Sequence, residues 1–142
     1  EIAVLSPINN SLFSIEELLS KEGINNICLE GKVDVRSNKK PGHVCLCTVH
    51  KSKGMEWDLV FLMNISDSII PKLKNDKNIE DSLRVFYVAI TRARKELCMS
   101  YVADYSLPYV TRYVSNVPNT LYDFINFNKN YINVRCLCAG RP

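Results

Sequence analysis

Val44-Cys-Leu-Cys-Thr-Val-His-Lys-Ser-Lys-Gly-Met-Glu-Trp-Asp-Leu-Val-Phe-Leu-Met63 is the stretch whose reading decides the fold. Its ends, 44–49 and 59–63, are short apolar runs rich in β-branched and aromatic residues, which predicts two buried strands. Between them, residues 50–58 gather two lysines, a histidine, a serine, two carboxylates, a tryptophan and a glycine. A strand in an α/β sheet delivers its ligand-binding loop at such a point. Only Arg84-Val-Phe-Tyr-Val-Ala-Ile-Thr-Arg-Ala-Arg94 is as dense in unusual choices.

Working outward toward the N-terminus, Ile2-Ala-Val-Leu5 predicts a short buried strand and Ser6-Pro-Ile-Asn-Asn10 the turn that ends it. Leu12, Ile15, Leu18 and Leu19 recur at helical spacing, Ser14-Ile-Glu-Glu17 fits a capping box, and Gly23 supplies a stop. Residues 24–29 form the next predicted strand. Two strands joined through a helix imply a parallel pair with a right-handed crossover. The polar segment 30–43, with Ser37-Asn-Lys-Lys-Pro-Gly42, reads as a surface loop.

Toward the C-terminus, residues 66–79 carry Pro71 and a Lys/Asn/Asp cluster and predict an exposed loop. From about Glu80 the pattern turns helical. Phe86, Ala89, Ile90, Ala93 and Leu97 fall on one arc of roughly 100°, with Arg84, Tyr87, Thr91, Arg94 and Lys95 opposite and Arg92 at the margin. A strand at 96–102 and a short helix at 107–114 follow, and beyond Pro118 the aromatics Tyr122, Phe124, Phe127 and Tyr131 show no clean period.

With 142 residues, 46% of them hydrophobic, the chain has enough apolar material for the core of one ordinary domain. It opens on Glu1 and runs at once into an apolar stretch, which suggests a piece of a longer polypeptide. No apolar run approaches the roughly 18 to 20 residues that span a bilayer and no charged-then-apolar leader is present, so no membrane partner and a cytoplasmic location are expected. The six cysteines, at 28, 45, 47, 98, 136 and 138, sit mostly in apolar runs and read as reduced core thiols. The two C-x-C pairs lack the spacing and the nearby histidines that zinc sites favour, so no metal site is expected. A net charge of +3 is too mild to argue for nucleic acid. The charge that matters is local: Lys51 and Lys53 in the loop, and Arg84, Arg92, Arg94 and Lys95 later.

A basic loop holding carboxylates after a strand invites a search for a phosphate cradle. The pattern G-x-x-x-x-G-K-[ST] fails, because Gly31-Lys32 would need glycine at 26, where Asn26 stands, and is followed by Val33. Nor does the strand at 59–63 end in a magnesium-holding carboxylate; Asn64 follows it. Any nucleotide chemistry needs a second component.

Thr48-Val-His-Lys-Ser-Lys-Gly-Met-Glu-Trp-Asp-Leu-Val60 resembles motif V of the superfamily 1 DNA helicases of the UvrD/Rep type, and Arg84-Val-Phe-Tyr-Val-Ala-Ile-Thr-Arg-Ala93 resembles their motif VI. Both occur in the right order, and the resemblance covers about residues 1–102. It implies a RecA-like α/β fold, three-layered with a mostly parallel central sheet. Residues 1–118 would be the second, C-terminal RecA-like domain and 119–142 an extension. In that family two such domains close on ATP. The phosphate loop and the magnesium carboxylate belong to the first, absent here, so ATP and Mg2+ are expected in the full-length protein and neither bound tightly by this domain alone.

By the same resemblance Arg92 corresponds to the arginine that reaches the γ-phosphate from the opposite domain. An always-charged guanidinium suits that task. The competing reading is a surface arginine paired with Glu96. Glu56 resembles the glutamate that binds the nucleotide ribose, Gly54 would allow close approach to the nucleotide, and Lys53 would face phosphate. Thr48 and His50 resemble residues that touch the single-strand backbone, with Lys51 adding charge. Each could instead be an ordinary loop residue. Tyr87 and Thr91 would help couple the two sites, and Trp57 would pack under the loop.

There are departures from the family pattern. Met55 replaces a leucine, Ser82 and Leu83 stand where a glutamate and an arginine are usual, and 30–43 is too short for the accessory domain that many relatives insert there. The expectation is therefore half of an ATP-dependent DNA helicase or translocase. Its partners would be single-stranded DNA and the N-terminal RecA-like domain, and it would act as a monomer. The alternative is a non-catalytic helicase-like module that binds a repair or transcription protein. A helicase–nuclease fusion finds no support, since Asp123 is the only acidic residue at 119–142.

Overall fold

The computed structural model describes residues 1–29, 40–65 and 79–101. Most of the expected loops at 30–43 and 66–79, the helix at 107–114, the boundary at 118, the extension at 119–142 and Cys136 and Cys138 lie outside those residues. Five strands, β1 (Ile2–Ser6), β2 (Asn26–Cys28), β3 (Val44–Thr48), β4 (Trp57–Ile65) and β5 (Ala93–Tyr101), alternate with two helices, α1 (Asn9–Lys21) and α2 (Ile79–Ile90). The sheet runs β2-β3-β1-β4-β5 and every pairing in it is parallel. This is the α/β, RecA-like architecture expected.

β1 lies at the centre, paired with β3 on one side and β4 on the other. A strand covered on both faces has no polar side to show, which is why Ala3, Val4 and Leu5 form an unbroken buried run. α1 carries the chain from β1 past β3 to β2, whereas α2 carries it the other way, from β4 to β5. Right-handed crossovers in opposite directions place the two helices on opposite faces. On the α1 face, Leu12 packs with Val4 and Leu46, flanked by Ile15, Leu19, Cys28, Val44 and Met63. α1 reaches across β1, β2 and β3. Phe61 on β4, beyond that reach, is left 39% exposed.

Element boundaries differ from the expected ones for identifiable reasons. α1 starts five residues before the predicted capping box: its N-cap is Ile8 without a side-chain bond, and Ser14 and Glu17 lie within the helix. Burying Leu12 against the sheet requires helix around it, and tertiary docking outweighs a local cap. Ser6 Oγ instead accepts the Ile8 N–H at 3.1 Å. The Gly23 stop is met in full: Gly23 takes φ 71°, its N–H bonds the Ser20 carbonyl, and the Ile24 N–H bonds the Leu19 carbonyl. That is the Schellman arrangement. It also explains why β2 is three residues rather than 24–29, since the Ile24 N–H is engaged by the helix and pairing can begin only at Asn26.

α2 ends at Ile90, so Ala93 and Leu97, assigned above to its apolar arc, belong to β5 and pair with Trp57 and Val60. The Arg92 carbonyl accepts the Trp57 N–H at 2.9 Å, which draws the chain out of the helix into the sheet. β4 is longer than 59–63 and irregular near both ends, with Asn64 at φ 56° donating from Nδ2 to Ser6 Oγ at 3.2 Å. Cys28, Cys45, Cys47 and Cys98 are reduced. Cys47 is buried, and its hydrogen bond with Cys45 together with burial pushes its thiol up and keeps it protonated. Cys98 is exposed and so departs from the core-thiol expectation. Among the described residues no helix is long and apolar enough to cross a membrane.

Leu46→Ala removes a side chain with 0% exposure and is expected to lower unfolding free energy by about 3 kcal/mol in urea titration. Phe61→Ala should cost under about half of that, because its ring already meets water.

Candidate functional site

Because β3 and β4 run parallel, residues 49–56 must return from the carboxyl end of one strand to the amino end of the other. The return starts as a capped turn. The Thr48 carbonyl accepts the Ser52 N–H at 3.0 Å, and Thr48 Oγ1 accepts the Lys51 N–H at 3.4 Å. Val49, Ser52 and Met55 recur every third residue and all three are buried. Ser52, the polar member, donates from Oγ to the Val49 carbonyl at 2.7 Å, which removes the cost of burying it. His50, Lys53, Gly54 and Glu56 consequently face outward. Gly54 adopts φ 80° in the turn closed by Met55 N–H on the Ser52 carbonyl at 3.0 Å, a conformation glycine takes without penalty.

Lys51 is tethered rather than loose: its Nζ donates to the Leu29 carbonyl at 3.0 Å, just past the end of β2. Trp57 is 1% exposed and lies in the core, as expected of a residue packed beneath the loop. Tyr87, by contrast, is 65% exposed.

Arg92 stands in the turn between α2 and β5, not on the helix. Its Nε donates to the Val88 carbonyl at 2.8 Å, Nη1 to the Met55 carbonyl at 2.8 Å, and Nη2 to Thr91 Oγ1 at 3.2 Å. The guanidinium is thus turned onto the 49–56 segment, and Glu96, its suggested surface partner, lies on β5 instead. Three of its N–H groups are engaged and, of the five a guanidinium carries, two are left. The two chemistry-rich stretches of the sequence therefore meet.

They do not form one cluster. Thr48, His50 and Lys51 sit at the carboxyl end of β3, whereas Glu56 and Arg92 sit at the amino ends of β4 and β5, with Lys53 and Gly54 between. At about 3.3 Å per residue, the length of β3 separates the two groups by roughly 16 Å. Only the first part of the segment lies at the carboxyl end of β3, because a parallel β4 forces the remainder back along the sheet. A cavity of about 250 Å³ bordered by Ile27, His43, Cys45 and Trp57 contains none of the candidate residues. Among the described residues, no group of three or more His, Cys, Asp or Glu side chains could hold a metal ion.

Residues 8–104 match a family model described as the UvrD-like helicase C-terminal domain. The chain belongs to that family. Among relatives of this helicase domain, the ATP-dependent DNA helicase Rep of Buchnera aphidicola subsp. Schizaphis graminum is 39% identical over 87 residues, which is 60% of this chain and 13% of that protein. A probable DNA helicase II homolog of Rickettsia conorii is 27% identical over 126 residues, 80% of this chain and 19% of that protein. The ATP-dependent DNA helicase UvrD2 of Mycobacterium bovis is 38% identical over 69 residues, 44% of this chain and 10% of that protein. The chain thus spans under a fifth of the length of these relatives. Among solved structures, the C-terminal domain of a possible DNA helicase from Lactobacillus plantarum WCFS1 shares the fold, with TM-score 0.51 at 18% identity over 71% of this chain and 55% of that one.

Beside Glu56 and Arg92, Asp58 meets Lys95 at 3.2 Å and Arg94 at 3.4 Å.

Proposed function

We propose that this domain forms one wall of an ATP cleft in a DNA helicase or translocase and carries part of its single-strand path. The other wall is a domain with a phosphate loop. The Arg92 Nη1 bond to the Met55 carbonyl supports this reading most directly, since it holds a permanent cation against the segment that bears Glu56 and Gly54. The residues present fit one side of a nucleotide: a guanidinium with two N–H groups left to give, an exposed carboxylate at Glu56, an exposed Lys53, and a left-handed Gly54 where backbone can approach closely. Magnesium, on the family resemblance, would be held by the phosphate-loop domain.

ATP, when bound, supplies the phosphoryl group that passes to water. Arg92 stabilises the charge that develops on that group and distinguishes a nucleotide with a γ-phosphate from one without. Glu56 accepts hydrogen bonds from the ribose hydroxyls, and Lys53 offers charge to phosphate. At the far end, Thr48 has its hydroxyl proton to donate, His50 is exposed, and Lys51 keeps N–H groups beyond the one on Leu29, which together suit a nucleic-acid backbone. Opening and closing of the cleft would shift the DNA end through the 49–56 segment, a hinge type of coupling. The names of the relatives, ATP-dependent DNA helicases, support the same substrate classes.

Assembled with its phosphate-loop domain, Arg92→Ala should lower ATP turnover about 10³-fold or more while ATP affinity stays within a few-fold. Steady-state hydrolysis and nucleotide titration measure the two. Turnover at the wild-type rate would remove Arg92 from the mechanism. The domain alone should show no magnesium-dependent hydrolysis in a single-turnover assay.

A further inference from the structure

Resting on that reading of the cleft, we infer that Thr91 is the positioning residue for Arg92: its hydroxyl fixes the plane of the guanidinium and so the direction of the N–H groups left for the transferring phosphoryl. Thr91 follows the last turn of α2 and folds its side chain back onto that turn, with Oγ1 2.9 Å from the Tyr87 carbonyl and 3.1 Å from the Val88 carbonyl. A hydroxyl has one proton. Each carbonyl already receives one N–H, Tyr87 O from Thr91 at 3.1 Å and Val88 O from Arg92 Nε at 2.8 Å, so the shorter of the two contacts, to Tyr87, takes the proton. A lone pair on Oγ1 then faces Arg92 Nη2 at 3.2 Å. Branching at Cβ restricts the threonine rotamer, so this acceptor is itself held in place.

Three anchors are needed for a defined plane. The Val88 and Met55 carbonyls hold Nε and Nη1, which fixes an axis through the guanidinium; Thr91 holds Nη2 and stops rotation about it. Two of the three anchors are backbone carbonyls, which persist through side-chain substitution. The third is a hydroxyl that mutation can delete without changing the shape of the side chain. An orienting contact of this kind acts where charge builds on the phosphoryl group, so its loss lowers kcat and leaves ground-state binding nearly as it was.

The test is steady-state ATP hydrolysis by the domain assembled with its phosphate-loop partner, for wild type, Thr91→Val, Thr91→Ala, Thr91→Ser and Arg92→Ala, with the thermal midpoint of each. Thr91→Val and Thr91→Ala are expected to lower kcat about tenfold, with KM for ATP within about twofold. Thr91→Ser restores the hydroxyl and should bring kcat to within about threefold of wild type. Thr91→Ala, which introduces no crowding, serves if the valine variant does not fold. Wild-type kcat in the valine or alanine variant overturns the inference, as does a loss that serine fails to rescue or that raises KM in parallel. If Arg92→Ala abolishes turnover and Thr91→Val leaves kcat at the wild-type value, only the Thr91 inference falls; if Arg92→Ala keeps turnover, the reading of the cleft falls with it.

Discussion

One charge-assisted hydrogen bond, from Arg92 Nη1 to the Met55 carbonyl, ties the turn after α2 to the segment that leaves β3. Beside it, the Trp57 N–H bonds the Arg92 carbonyl. The same residue thus uses its side chain to hold the end of the crossover and its backbone to open the β4–β5 ladder. Without that double attachment, the motif rich in lysines and the motif rich in arginines would be two surface features of one sheet. With it, they become two parts of one structure.

The parallel sheet imposes the remaining geometry. A hairpin would have returned the chain at the carboxyl edge, with the candidate residues in a single cluster. Parallel pairing of β3 and β4 through the intervening β1 instead compels the 49–56 segment to travel the length of the strands. Its burial at Val49, Ser52 and Met55 makes that path a packed element rather than a loose loop. From Thr48 to Arg92 the contacts are continuous: Thr48 O to Ser52 N–H, Ser52 O to Met55 N–H, Met55 O to the guanidinium. The segment is thus a packed, hydrogen-bonded strap between the carboxyl end of β3 and the turn that holds Arg92.

Much of this was legible in the sequence, unevenly so. The β-branched and aromatic runs at 44–49 and 59–63 announced the strands, and Gly23 announced the helix stop through its left-handed conformation. The start of α1 was misread because Ser14 and Glu17 carry the letters of a cap, while the signal that mattered was Leu12, whose burial depends on residues distant in sequence. Ala93 and Leu97 fit a helical arc as well as a strand, and only the partner strand decides between them. Arg92 was legible as a candidate, yet its orienting partners were not. Two of them are backbone carbonyls, which every residue carries, and no letter marks Met55 or Val88 as the one that will accept. Ser52 was likewise invisible as a core residue, since its burial rests on a local bond to Val49 that polarity alone argues against.

The most direct measurement is a structure of the domain joined to its phosphate-loop partner with ADP, aluminium fluoride and a single-stranded oligonucleotide bound. One guanidinium should keep the Met55 carbonyl at about 3 Å and reach the fluoride with its remaining N–H groups. A fluoride met only by residues of the partner domain, with no N–H group of Arg92 within hydrogen-bond reach of it, would contradict the assignment of this domain as the sensing wall of the cleft.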